Sequence, residues 1–195
     1  MPALPTTAKG AATSRRILDA AAEEFAERGI AGARVDRVIT AANTNKAQLY
    51  GYFGSKDGLF DAVIADRTGR LMSNVPFDAG DLAGWAVRMY DENLRHPDLL
   101  RLVAWLRLER RPAGRLAPDS PRDEPKLAAI AAAQAAGRVR DGDPFDLFAL
   151  VLSMAFAWSS ASGFYAASAD DPADDHDRRR TLLHESVQRA VTPLA

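Results

Sequence analysis

The sequence predicts an all-α protein of about nine helices, a three-helix N-terminal unit followed by a larger helical domain. Three observations support this. Alanine and leucine dominate the periodic segments, apolar residues recur at i, i+3, i+4 and i+7, and no alternating runs bounded by turn pairs occur. Of the 195 residues, 47% are hydrophobic and 26% charged, the balance of a globular chain that can bury a core without metal or disulfide support. Cysteine is absent, which excludes disulfides, zinc–thiolate sites and cysteine nucleophiles.

The elements follow in order. Residues 1–12 read as a loose, disordered tail rather than a signal peptide. A first helix is expected over Ser14–Arg28, capped by Thr13, with Ile17, Leu18, Ala21 and Phe25 on one stripe and Gly29 ending it. Val35, Val38, Ile39 and Ala42 mark a second helix. The turn Asn43–Thr44–Asn45 leads to a third, Lys46–Phe53, capped by Asn45 and buried through Leu49 and Phe53. Gly54 breaks it, and Ser55 caps a fourth over Lys56–Asn74. Further helices are expected at Leu82–Arg95, Asp98–Arg110, Lys126–Gly137, Asp146–Ala169 and Asp177–Val191. The four prolines between Arg111 and Pro125 make that stretch a loop. The division is residues 13–56 for the three-helix unit, 57–75 for a connecting helix and 76–195 for the larger domain.

Charge is unevenly distributed. The net charge is −1, yet residues 28–56 carry five basic side chains against one acid, whereas residues 76–195 carry fifteen against eighteen. A positive end on a mildly acidic body suits a chain that meets phosphate at one end only.

Two short helices joined by a three-residue turn form a helix-turn-helix, whose second member enters the DNA major groove. With Leu49 and Phe53 inward, Lys46, Ala47, Gln48 and Gly51 face outward. Lys46 can donate to guanine or phosphate, Gln48 can pair with adenine, and Ala47 can touch a thymine methyl. Tyr50, Tyr52 and Lys56 are placed to clamp the backbone, and Arg34, Arg37 and Asn45 complete the candidate DNA contacts. The run from Ala42 to Phe60, with Arg16–Ala21 and Phe25–Gly29 before it, resembles the TetR family of bacterial transcriptional regulators. That resemblance implies Tyr50, Tyr52 and Lys56 as phosphate contacts and Lys46, Ala47 and Gln48 as base-facing positions. This chain departs from the family in three places: Asn43 stands in the turn where glycine is usual, Arg34 where a hydroxyl cap is usual, and Gly51 inside the reading helix.

The resemblance also implies an effector-binding and dimerisation domain beyond residue 76, with a homodimer formed through residues 146–169 and 177–191. Trp85, Met89, Trp105, Phe148, Phe156 and Trp158, with Met154, Phe164 and Tyr165 beside them, are the candidate lining of a pocket for a small apolar or aromatic effector, with Arg107 and Glu109 as polar anchors. No cofactor or metal is expected: His96, His176 and His184 lack ligand spacing and read as surface residues. No Gly-rich phosphate loop, nucleophile elbow or His-Glu metal motif occurs. The expected role is a cytoplasmic, homodimeric repressor that leaves a palindromic operator when its unidentified effector binds. The alternative is a helical small-molecule-binding protein or enzyme that has lost DNA recognition.

Overall fold

The computed structural model describes residues 7–110 and 123–193. Among them are nine helices and no strand: α1 (Ala8–Gly32), α2 (Val35–Ala41), α3 (Lys46–Phe53), α4 (Lys56–Asn74), α5 (Leu82–Arg95), α6 (Asp98–Arg110), α7 (Glu124–Ala135), α8 (Pro144–Ala155) and α9 (Ala173–Val191). They fall into two compact units. Of the described residues, the first takes 7–70 together with 98–110, the second 71–97 and 123–193. The division therefore differs from the one expected at residue 76, because α6 belongs with the N-terminal helices and the last turn of α4 with the second unit.

In the first unit, α1 is the central element and packs against α2, α3 and α6. Its stripe is the expected one, with Ile17, Ala21 and Phe25 out of solvent, and Phe25 meets Phe60 of α4 edge-to-face at 5.1 Å. Leu102 and Leu106 are the buried residues of α6 nearest its end. The helix begins earlier than its sequence suggests. Thr7 is the cap, accepting from the Gly10 N–H, while Thr13 is buried mid-helix and turns its hydroxyl back onto the Lys9 carbonyl. Residues 8–12 are thus helical, because the alanine-rich start needs only a hydroxyl cap to propagate.

A break in α1 sits at Gly29 (φ 72°, ψ −179°), a backbone region available almost only to glycine. The residues after it, 30–34, form a linker to α2 that is pinned by side chains from elsewhere in the unit. Glu109 accepts from the N–H groups of Ile30 and Ala31, at 2.8 and 2.7 Å. Lys56 donates to the carbonyls of Ala31 and Ala33, and Arg37 to that of Gly32. Glu24 accepts from the Arg34 N–H at 2.8 Å. Arg34 occupies the cap position of α2 without providing a cap. The missing hydroxyl is not replaced; Glu24 takes instead the N–H of the cap residue itself.

The second unit is built on α5 packed against α8 and α9, with α7 on α8. Trp85, Met89, Tyr90, Ile130, Phe148, Val151 and Val187 are among its buried residues. Trp85, Phe77 and Phe148 form an aromatic cluster with ring centroids 5.2 to 5.8 Å apart. Three elements differ from expectation at their ends. Helix α8 stops at Ala155 rather than continuing to 169, α7 runs from 124 to 135, and α9 starts at Ala173 without a side-chain cap. Clustered serines and Gly163 after Phe156 favour turns over a longer helix. Most of the predicted proline loop lies outside the described residues.

The three consecutive arginines 178–180 do balance acids. Arg178 pairs with Asp175, Arg179 with Asp171, and Arg180 with Asp91 and Asp177. His176 is a correction. It is buried rather than on the surface, and its Nδ1 is 2.7 Å from the Tyr90 hydroxyl, because the first turn of α9 folds onto α5.

Candidate nucleic-acid interface

Helix α3 is short, and its ends are defined by side chains and by one glycine. Asn45 caps it, its Oδ1 accepting from the Gln48 N–H at 2.9 Å, and Gly54 (φ 74°) ends it. Asn43 (φ 48°) takes the left-handed step that begins the turn, a conformation asparagine tolerates. Ser55 caps α4 by accepting from the Gly58 N–H at 2.9 Å. Gly58 is required there, since a Cβ on it would run into the Phe53 carbonyl.

Leu49 and Phe53 are buried and fasten α3 to the core. Lys46, Ala47, Gln48, Tyr50 and Gly51 form its exposed face, with Tyr52 half-buried beside Phe53. Nothing lies within 4 Å of where a Cβ on Gly51 would stand, so the glycine is not demanded by packing. It leaves a flat spot on the exposed face, at a cost of about 1 kcal/mol in helix propensity.

The charged candidates divide into free and committed groups. Lys46 pairs with Asp36 at 2.9 Å, but both side chains are well exposed, so a phosphate or guanine can displace the acid. Thr44 donates to Oε1 of Gln48 at 2.7 Å, which orients the amide and leaves its NH₂ outward. Arg34 is exposed, and its guanidinium meets no acid among the described residues. Arg37 is committed. It is bound to Glu24 and to the Gly32 carbonyl, which makes it a brace of the α1–α2 linker. Lys56 is also committed, to the carbonyls of Ala31 and Ala33. The arginine hydrogen bond holds the Glu24 carboxyl below its ordinary range; burial opposes this, and the Arg34 N–H reinforces it. Sequence reasoning missed Glu24, whose position mid-helix gives no sign that it serves a distant turn.

The candidate effector residues do not all gather. Trp85, Met89 and Phe148 are buried in the core of the second unit, and Phe156 and Trp158 pack against that core. Trp105 is a correction: it lies in the first unit, where its indole N–H donates to the Ala26 carbonyl at 3.2 Å. Glu109, expected as a polar anchor for the effector, is likewise engaged on α1. The sequence places Trp105 and Glu109 one turn apart on α6 but does not reveal which unit that face meets. A cleft of about 270 Å³ in the second unit is lined by Trp158, Phe164, Tyr165, Arg178, Arg179 and Leu182, of which Trp158, Phe164 and Tyr165 were expected in a pocket. Two buried side-chain polar atoms lack a partner among the described residues, Nε1 of Trp85 and Nε2 of His176, both in the second unit.

Comparison with known proteins finds a family model for each end of the chain. The model of bacterial regulatory proteins of the tetR family matches residues 17–63, and that of the tetracyclin repressor-like C-terminal domain matches residues 81–189. The HTH-type transcriptional repressor SCO4008 of Streptomyces coelicolor is 40% identical over 148 residues, covering 74% of this chain and 77% of the relative. The HTH-type transcriptional repressor NicS of Pseudomonas putida is 29% identical over 99 residues, 47% of each chain. Among solved structures, SCO4942 of Streptomyces coelicolor, described as a transcriptional regulator, superposes with a TM-score of 0.77 at 38% identity. That match covers 92% of this chain and 98% of the other. The capped reading helix, its exposed polar face and these matches together make the chain a DNA-binding transcriptional regulator of the TetR family.

Proposed function

We propose that the protein acts as a homodimeric repressor, reading a palindromic operator with α3 and released by a small apolar or aromatic effector bound in the second unit. The observation that carries the DNA reading is the outer face of α3, where Lys46, Ala47, Gln48, Tyr50 and Gly51 are exposed while Leu49 and Phe53 fasten the helix to the core. A repeated half-site follows from pairing two copies about a two-fold axis. Exposed Leu150 of α8, Phe164 of the segment after it and Leu182 of α9 support the self-association face expected over 146–169 and 177–191. The unpartnered Trp85 Nε1 among aromatic rings supports an effector that carries a hydrogen-bond acceptor. No helix among the described residues is long and apolar enough to cross a membrane. A DNA partner supports a cytoplasmic location. No cofactor enters this reading, and the repressor relatives support a non-enzymatic role.

The test is retardation of the DNA flanking the protein's own gene. Salt-sensitive, sequence-selective binding is the expected result, and failure to retard any genomic fragment sinks the reading. The Lys46→Ala, Gln48→Ala pair is expected to lower affinity for the operator about 30-fold or more and non-specific binding much less, each base contact being worth roughly 1–3 kcal/mol. Lys56→Ala is expected to weaken specific and non-specific DNA alike, because it frees the α1–α2 linker as well as removing a cation.

A further inference from the structure

Glu109 lies on α6, outside the helix-turn-helix, yet it binds the backbone that leads into it. In an unbroken helix the Ile30 N–H would donate to the Ala26 carbonyl, four residues back. The break at Gly29 removes that geometry, and α6 supplies substitutes for both partners. The Trp105 indole N–H takes the Ala26 carbonyl, and the two oxygens of Glu109 take the N–H groups of Ile30 and Ala31. Residues 105 and 109, one turn apart on α6, thereby close a gap that α1 cannot close for itself. Gly29 fits beneath them only because it has no side chain; a Cβ there would come within 3 Å of the indole and overlap the carboxylate. The rest of the linker is held by Glu24, Arg37 and Lys56 from α1, α2 and α4, so Glu109 is the contribution of α6.

We propose that Glu109 is a positioning residue for DNA recognition, its carboxylate seating the α1–α2 linker and so setting where α2 presents α3 to the groove. Coulomb's law alone gives the opposite expectation. Removing an acid from the DNA-binding unit raises its positive charge and should tighten binding to DNA. If Glu109 positions the linker, its removal weakens operator binding despite the gained charge, and the sign of the change decides between the two.

The experiment uses the full-length protein and the duplex that the wild-type protein enriches from a random library. Glu109→Ala is expected to bind that duplex about tenfold more weakly, the scale of one lost pair of charge-assisted hydrogen bonds, with an unchanged salt slope because no phosphate contact is lost. Amide exchange at Ile30 and Ala31 should accelerate by a similar factor. Glu109→Gln keeps an acceptor oxygen and is expected to restore part of the affinity and protection. It also decides the question if the alanine variant does not fold, since it too removes the charge. Equal or tighter operator binding by these variants, or amides at 30 and 31 that stay protected, would overturn the proposal. The inference rests on α3 as the reading helix. Failure of the wild-type protein to enrich any duplex would count against that reading, whereas enrichment with unaffected Glu109 variants counts against this one alone.

Discussion

Gly29→Ala is expected to destabilise the first unit by about 2–6 kcal/mol, the largest single-residue effect outside its hydrophobic core. Two costs combine. The backbone at φ 72° and ψ −179° is strained for any residue with a side chain, worth roughly 1–3 kcal/mol. The added methyl also meets the six-membered ring of Trp105 within 3 Å, and the indole is fixed by its hydrogen bond to Ala26, so overpacking adds roughly 1–3 kcal/mol. Glu109 can swing aside, but only by leaving Ile30 and Ala31 unpaired. Thermal melting should show the loss as a fall of roughly 10 °C or more for a unit of this size. A Trp105→Ala background separates the two costs, because the part of the Gly29→Ala penalty that persists there is backbone strain. A melting point within a degree or two of wild type would mean that the break at Gly29 is not a property of the folded protein.

Glu24→Ala should cost the first unit about 2–4 kcal/mol. The carboxylate is buried and serves two groups at once, the Arg37 guanidinium and the Arg34 N–H that begins α2. Its loss leaves the Arg34 N–H without its acceptor and the arginine without its acid. The penalty stays below that of a fully enclosed pair because Arg37 is 39% exposed and water can take its place. The pH dependence has a definite sign. With the Glu24 carboxyl held below its ordinary value of 4.5, the folded state binds fewer protons than the unfolded one as pH falls through that value. The stabilisation is complete above about pH 4.5 and is lost as pH drops through the lowered folded value. Melting curves between pH 6 and 3 should therefore fall less steeply for Glu24→Gln than for wild type. Parallel curves would show that Glu24 carries no linked proton.

Much of the reading helix was legible in sequence because its signals are local. The Asn45 cap, the left-handed Asn43, the glycine stop and the Leu49–Phe53 spacing each act within a few residues, and the structure places each as expected. The departure at Arg34 was also visible, but its consequence was not. Losing a hydroxyl cap predicts a weak helix start, whereas the fold supplies Glu24 from ten residues earlier. Charges near the motif were equally visible, yet only packing separates exposed Lys46 and Arg34 from Arg37 and Lys56, which are bound into the linker.

The same limit governs the second half. Hydrophobic periodicity marked α5, α8 and α9, since burial selects residues at helical spacing whatever their neighbour is. Periodicity carries no information about which neighbour that is. Trp105 and Glu109 read as pocket residues by type, and the fold gives them to α1. His176 read as a surface residue, and the fold places it against Tyr90. Sequence alone therefore determined the helices, the motif and its exposed face, all set by interactions spanning one or two turns. Tertiary structure decided which charges are free, what seats the broken end of α1 and where the aromatic residues lie, because those depend on pairings between residues up to 89 positions apart.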